Sequence, residues 1–203
     1  MKRKEYSKKY LIETAAGLQK VDNLSNSKYF IDLKNKYISG KIDVKQLSEF
    51  LTSYYKSKEG TDADAYKEAD IVSSRIADIL SDDSFTFSPE GYLAIHRRLF
   101  DDIFKHAGMV RTKNLGKREW ILNGDTVSYG DYRELKETLK YDLNEERHFD
   151  YKGLDSNAVI QHIALFISNL WQIHVFWEGN TRTTAIFLIK YLRSLGYDVA
   201  NDM

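Results

Sequence analysis

Residues 174–185 read HVFWEGNTRTTA and are followed by the apolar run IFLIKYLRSLGY. A histidine, an acid, a Gly-Asn pair and an arginine thus stand close together where a loop opens a helix. The first turn of a helix carries unpaired N–H groups and the positive end of the backbone dipole, so Asn180 and Thr181 mark a natural anion site. Gly179 permits a tight turn and a close approach by phosphate. Arg182 adds a fixed positive charge suited to phosphate oxygens. Glu178 is a hard oxygen ligand, suited to a magnesium ion shared with phosphates. His174, at the end of the preceding helix, can accept a proton from an attacking hydroxyl. Phe176 reads as an apolar pin that holds the loop to the core. The same residues also fit a plain capping turn with a hydrogen-bonded core histidine.

The elements that must position these groups are helical. The chain has 203 residues with one proline, Pro89, and eleven glycines, which favours long helices over strands and turns. With 42% hydrophobic residues it can bury a sizeable core. Thirty basic and thirty acidic residues cancel, which argues against general binding to nucleic acid or to an anionic membrane. The absence of cysteine excludes disulfides and thiolate metal sites. No apolar stretch is long enough for a secretion signal or a membrane span, so a cytoplasmic location is expected.

A first helix is expected over 8–19, with a break at Asp22-Asn23. A helical hairpin follows over about 25–57, with Gly40 closing its first helix and Asp43 capping its second. The polar stretch 58–69 reads as a linker, which makes 1–57 an N-terminal segment and 70–203 the main domain. Within the latter, Ile71, Val72, Ile76, Ile79 and Leu80 share one helical face. Ser88, Pro89 and Glu90 start a helix expected to end at Gly108. Asn123-Gly124, flanked by Trp120, Ile121 and Leu122 on one side and Thr126 and Val127 on the other, predicts a short β-hairpin. Helices are expected at 130–141, over SNAVIQHIALFISNLWQI as a central helix, and at 182–195. His96 and His162, on apolar faces, read as core residues.

The stretch HVFWEGNTRTTA resembles the signature of the Fic (Fido) family, His-x-Phe-x-(Asp/Glu)-Gly-Asn-x-Arg-x-x-Arg, at His174, Phe176, Glu178, Gly179, Asn180 and Arg182. The similarity extends over about 70–203, where YLAIHRRLFDDIFKHAGMVRT looks like the first core helix and following segment of that family. It implies a mainly α fold with a short β-hairpin flap, here preceded by an N-terminal helical hairpin. It also implies transfer of AMP from ATP to a Ser, Thr or Tyr hydroxyl of a protein, with His174 as general base and Glu178 holding Mg2+. Gly179, Asn180, Thr181 and Arg182 would cradle the phosphates. The flap, near Trp120, Ile121, Leu122 and Val127, would pair with the backbone of the target segment. Homo-oligomers are compatible with this reading, and a further helix beyond YDVANDM is expected.

Two positions depart from the family pattern. Ala185 stands where a second arginine would meet the terminal phosphate, and Thr181 stands where glycine is commonest. They keep open a Doc-like phosphotransferase, a user of another nucleotide, or a weakly active toxin–antitoxin remnant. Three stretches resemble the family's inhibitory motif: Thr86–Gly91, Ser74 with Asp78, and Asp22-Asn23. The first is already explained as a helix start. The third, with the hairpin at 25–57, resembles a small antitoxin partner fused to the enzyme. An aspartate is shorter than glutamate and has no second arginine to meet, so 1–57 is expected to be structural or weakly inhibitory.

Overall fold

The structure is a computed structural model that describes residues 6–118 and 126–199. Among them are eight α-helices: α1 (Lys8–Gln19), α2 (Lys28–Ile38), α3 (Val44–Ser57), α4 (Asp64–Ser81), α5 (Pro89–Phe100), α6 (Leu135–His148), α7 (Ser156–Ile173) and α8 (Asn180–Ser194). Two short strands, β1 (Gly116–Arg118) and β2 (Thr126–Ser128), pair antiparallel with Lys117 opposite Val127. Trp120, Ile121, Leu122 and the Asn123-Gly124 turn lie outside the described residues. The chain divides into two compact units, one of residues 1–84 with 192–203 and one of Phe85–Tyr191.

In the first unit, local capping sets the helix starts. Ser7, Ser27 and Asp43 each accept a backbone N–H three residues on, and Gln46 returns the bond to Asp43 in a capping box. Gly40, at φ 77°, closes α2 with its N–H on the Tyr37 carbonyl. α1 and α3 both pack on α4. The buried stripe of α3 is Leu47, Leu51 and Tyr55, while Phe50 is 44% exposed. The stretch 58–69 holds turns and then the start of α4. Asp22 and Asn23 are exposed, and Asn23 closes a short 3-10 turn at φ 57°.

A fully buried carboxylate ties this unit together. Asp70 of α4 accepts the Ser27 N–H at 3.0 Å, the Ser27 hydroxyl at 2.5 Å, the Asn26 amide at 3.1 Å and the Tyr55 hydroxyl at 2.5 Å. A buried charge is tolerable only with such a set of donors.

The second unit is built from α5, α6, α7 and most of α8. α5 begins as expected, with Ser88 accepting the Gly91 N–H and Pro89 in the first turn. It ends at Phe100, earlier than Gly108: Asp101 is extended at ψ 136° and Asp102 turns left-handed at φ 60°. α6 starts at Leu135, later than expected. Asp131 holds the backbone N–H and guanidinium of Arg133 and keeps the preceding residues in a turn. α7 buries Ile163, Phe166, Leu170 and Ile173 but leaves Ile160 and Leu165 more than 60% exposed. It is therefore less enclosed than its apolar composition suggests. His162 is half-buried and bonds Glu146 at 2.7 Å, while the Tyr151 and Tyr191 hydroxyls donate to the same carboxylate.

Replacing Asp70 by Ala leaves several buried donors without an acceptor. It is expected to cost about 3 kcal/mol, read as a lower urea midpoint with an unchanged slope.

Candidate functional site

The site forms where α7 ends and α8 begins. His174 terminates α7 in the left-handed region, at φ 53° and ψ 61°. A non-glycine residue stays there only if its surroundings over-determine it. Arg111 does so. Its guanidinium is buried, 1% exposed. Nε donates to the His174 carbonyl at 2.7 Å, and a terminal nitrogen lies 3.4 Å from the Ile173 carbonyl. Nη1 donates to the Lys113 carbonyl at 2.6 Å, and Nη2, the nitrogen beside the Ile173 carbonyl, also donates to the Gly130 carbonyl. The Arg111 N–H itself donates to Val175 at 3.0 Å. The last turn of α7 has no basic residue of its own. Arg111 supplies the cation that its terminal carbonyls call for, and ties the exit of β2 to the same point.

The His174 ring is fixed from two sides. Tyr129 stacks on it with centroids 3.8 Å apart, and Trp171 meets it edge-on at 5.8 Å. The Trp171 indole N–H donates to the Thr181 hydroxyl at 3.1 Å, which joins the end of α7 to the first turn of α8.

Between His174 and α8 the loop is held by its own residues. Phe176 is fully buried and stacks on His96 at 3.7 Å and on Tyr92 at 5.4 Å. The Asn180 side chain accepts the Phe176 N–H and donates to the Phe176 carbonyl, both at 2.9 Å. Asn180 is 3% exposed, so its amide shapes the loop from within. Gly179 has φ 74°, and a Cβ there would lie 2.4 Å from the buried Phe100 ring. The close approach that requires glycine is thus to Phe100. Arg182 lies over that same ring at 4.8 Å and is 2% exposed. Glu178 is exposed.

His96 completes the support. The Gly108 N–H donates to its Nδ1 at 2.8 Å, so its proton sits on Nε2, which donates to the Glu178 carbonyl at 3.0 Å. Burial pulls the His96 pKa down to about 4. The neutral ring therefore bridges α5, the turn at Gly108 and the loop.

The structure brings His174, Glu178, Gly179, Asn180, Thr181 and Arg182 into one loop and helix start. The first turn of α8 has backbone N–H groups without helical partners, which could donate to an anion, and the buried Arg182 adds positive charge beside it. Among the described residues no cluster of three or more His, Asp or Glu side chains could hold a metal ion alone. A single exposed carboxylate, Glu178, fits the pattern of magnesium delivered with phosphates and held by one protein ligand. No spacing motif in the sequence marks Arg111, because most of its partners lie far away, at 130, 173 and 174.

The unfolded chain protonates His96 near pH 6.5, whereas the folded chain resists protonation down to about pH 4. Its contribution is complete above pH 6.5 and is lost as pH falls toward 4, by about 3 kcal/mol. His96→Phe should flatten the fall in urea midpoint across that window. Arg111→Met should cost about 3 kcal/mol, and Arg111→Lys should recover only part of it, because an ammonium lacks the planar fork. Urea midpoints check both variants.

The Fic/DOC family matches residues 86–192, nearly the whole second unit. The protein adenylyltransferase VbhT of Bartonella schoenbuchensis is 30% identical over 108 residues, 53% of this chain and 21% of that protein. The probable protein adenylyltransferase y4lH of Sinorhizobium fredii is 29% identical over 127 residues, 62% of each chain. The chain thus spans less than two thirds of either relative's length. A match over more than half the chain, carrying the signature loop just described, makes this protein a member of the Fic/DOC family.

Proposed function

We propose that the protein is an adenylyltransferase that moves AMP from ATP to a Ser, Thr or Tyr hydroxyl of a target protein. The observation that carries this reading is the convergence of an immobilised imidazole, a helix N-terminus and a buried arginine in residues 174–182. The family match and the names of both relatives support it. No helix among the described residues is long and apolar enough to cross a membrane.

In the proposed reaction the target hydroxyl oxygen bonds to the α-phosphorus of ATP. The bond from that phosphorus to the pyrophosphate oxygen breaks, and the hydroxyl proton passes to His174. Tyr129 and Trp171 hold the imidazole in place for that transfer. The N–H groups of the first turn of α8 would bind the phosphates with donors that need no rearrangement, and the buried Arg182 would add its positive charge from beneath. Magnesium bound with the nucleotide would neutralise phosphate charge, with Glu178 as its protein ligand. The edge of the β1–β2 pair would receive an extended target segment by strand addition. In this proposal residues 1–57 form an antitoxin-like segment that is structural or at most weakly inhibitory, Asp22-Asn23 being the candidate inhibitory pair.

Incubation of the chain and a cell lysate with α-labelled or γ-labelled ATP tests the reaction. Label retained on protein from the α position alone is expected. Retention from the γ position alone would replace this reading with a phosphotransferase, and retention from neither would leave a binding module. His174→Asn is the informative variant, because asparagine tolerates the left-handed backbone at this position. It should lower labelling about 100-fold or more while the fold is kept.

A further inference from the structure

An open cavity of about 350 Å3 lies beside the site, lined by Tyr129, Gly130, Thr138, Asp142, Asn169, Gln172 and Ile173. We propose that it is a recognition pocket for a lysine or arginine side chain of the target, close in sequence to the hydroxyl that is modified. This rests on the hydroxyl-transfer reading above and extends it to the choice of target.

Position comes first. Tyr129 forms one wall of the cavity, and the same ring stacks on His174 at 3.8 Å. Ile173, another wall, immediately precedes His174. A target segment with its hydroxyl at His174 therefore passes the mouth of this cavity. In an extended chain, residues two apart face the same side about 7 Å from each other. That separation suits one side chain at the histidine and a neighbour in the pocket.

The lining then selects the neighbour. Asp142 carries the only charge among the described lining residues, and it is half-buried. Burial first, and then Glu145 nearby, push its carboxyl above the usual carboxylate range. A cation would relieve both effects. Among the described residues, the side chains of Asp142, Asn169 and Gln172 make no hydrogen bond to one another or to a neighbour. The Thr138 hydroxyl donates to the Glu134 carbonyl at 3.0 Å, which leaves its oxygen able to accept.

These groups offer a carboxylate, two amide oxygens and a hydroxyl oxygen. An ammonium or guanidinium is all donor and no acceptor, so it matches that set. The Tyr129 ring and Ile173 give apolar surface for its aliphatic stem. An acidic side chain would meet Asp142 charge to charge. An apolar one would bury the carboxylate with nothing to replace its water.

The test uses the full chain, ATP labelled at the α-phosphate, and serine-centred synthetic peptides. Each peptide carries Lys, Arg, Ala or Glu at one position within three residues of the serine. Wild type should label Lys or Arg peptides at one such position about fivefold better than the Ala peptide. Asp142→Asn should erase that preference and Asp142→Lys should turn it toward Glu. Labelling without charge preference, or with a preference that survives Asp142→Lys, overturns the pocket and leaves the transfer reading standing. If no peptide is labelled, the Asn169 and Gln172 side-chain amide signals in 15N spectra decide with millimolar peptide. Shifts with the Lys peptide and not the Glu peptide uphold the pocket while the transfer reading falls; equal or absent shifts overturn the pocket.

Discussion

Everything at the site depends on the fork of hydrogen bonds that Arg111 makes inside the second unit. A helix that ends in the interior leaves carbonyls without partners, and a residue at φ 53° must be held there. One guanidinium answers both needs. Its bonds to Ile173 and His174 close α7, and its bond to Gly130 brings the exit of β2 to the same point. Tyr129, next to Gly130, is thereby set against the His174 ring. A lysine could supply the charge but could not span three directions at once. The proposed general base, the wall of the proposed target pocket and the end of the strand pair are thus coupled through one side chain.

The signature loop shows a division of labour that differs from a simple list of ligand contacts. Asn180 spends its amide on Phe176, and Gly179 makes room for Phe100. Thr181 accepts from Trp171, and Arg182 rests on the Phe100 ring. Each is therefore bound into the protein before any ligand arrives. Donors that are already fixed need no reorganisation when charge develops, which is what the proposed transfer would require. His96 extends this rigidity outward, because it joins the Glu178 carbonyl to the Gly108 turn through one neutral ring.

What could be read from the sequence was what is local in the chain. The starts of α3 and α5 were visible because Asp43, Ser88 and Pro89 act on N–H groups within the next turn. The end of α2 was visible because Gly40 takes a left-handed φ. The end of α5 was not. Nothing near Asp101-Asp102 forbids a further turn of helix; the chain leaves it there and bends so that Gly108 can reach His96. The start of α6 was misplaced for the same reason, since Arg111 and Asp131 hold the preceding turn from outside the periodic pattern. The signature residues were legible as a group from their spacing. Which of them build the loop and which face outward was not, because that follows from Phe100, Trp171 and His96, all distant in sequence or on another helix.

Ala185 bears on the same question from the opposite side. It lies three residues beyond Arg182 on α8, hence on nearly the same face. An arginine there would have added a second cation next to the first. In the proposed reaction its absence would leave the first turn of α8 and Arg182 as the donors for a polyphosphate, both close to the start of the helix. The hydroxyl of the next residue back, Thr184, is not available to compensate: it is buried and bonded to Tyr92 at 2.7 Å. In the proposed site, binding would therefore be concentrated on the phosphate nearest the helix start, with less hold on the far end of the chain of phosphates.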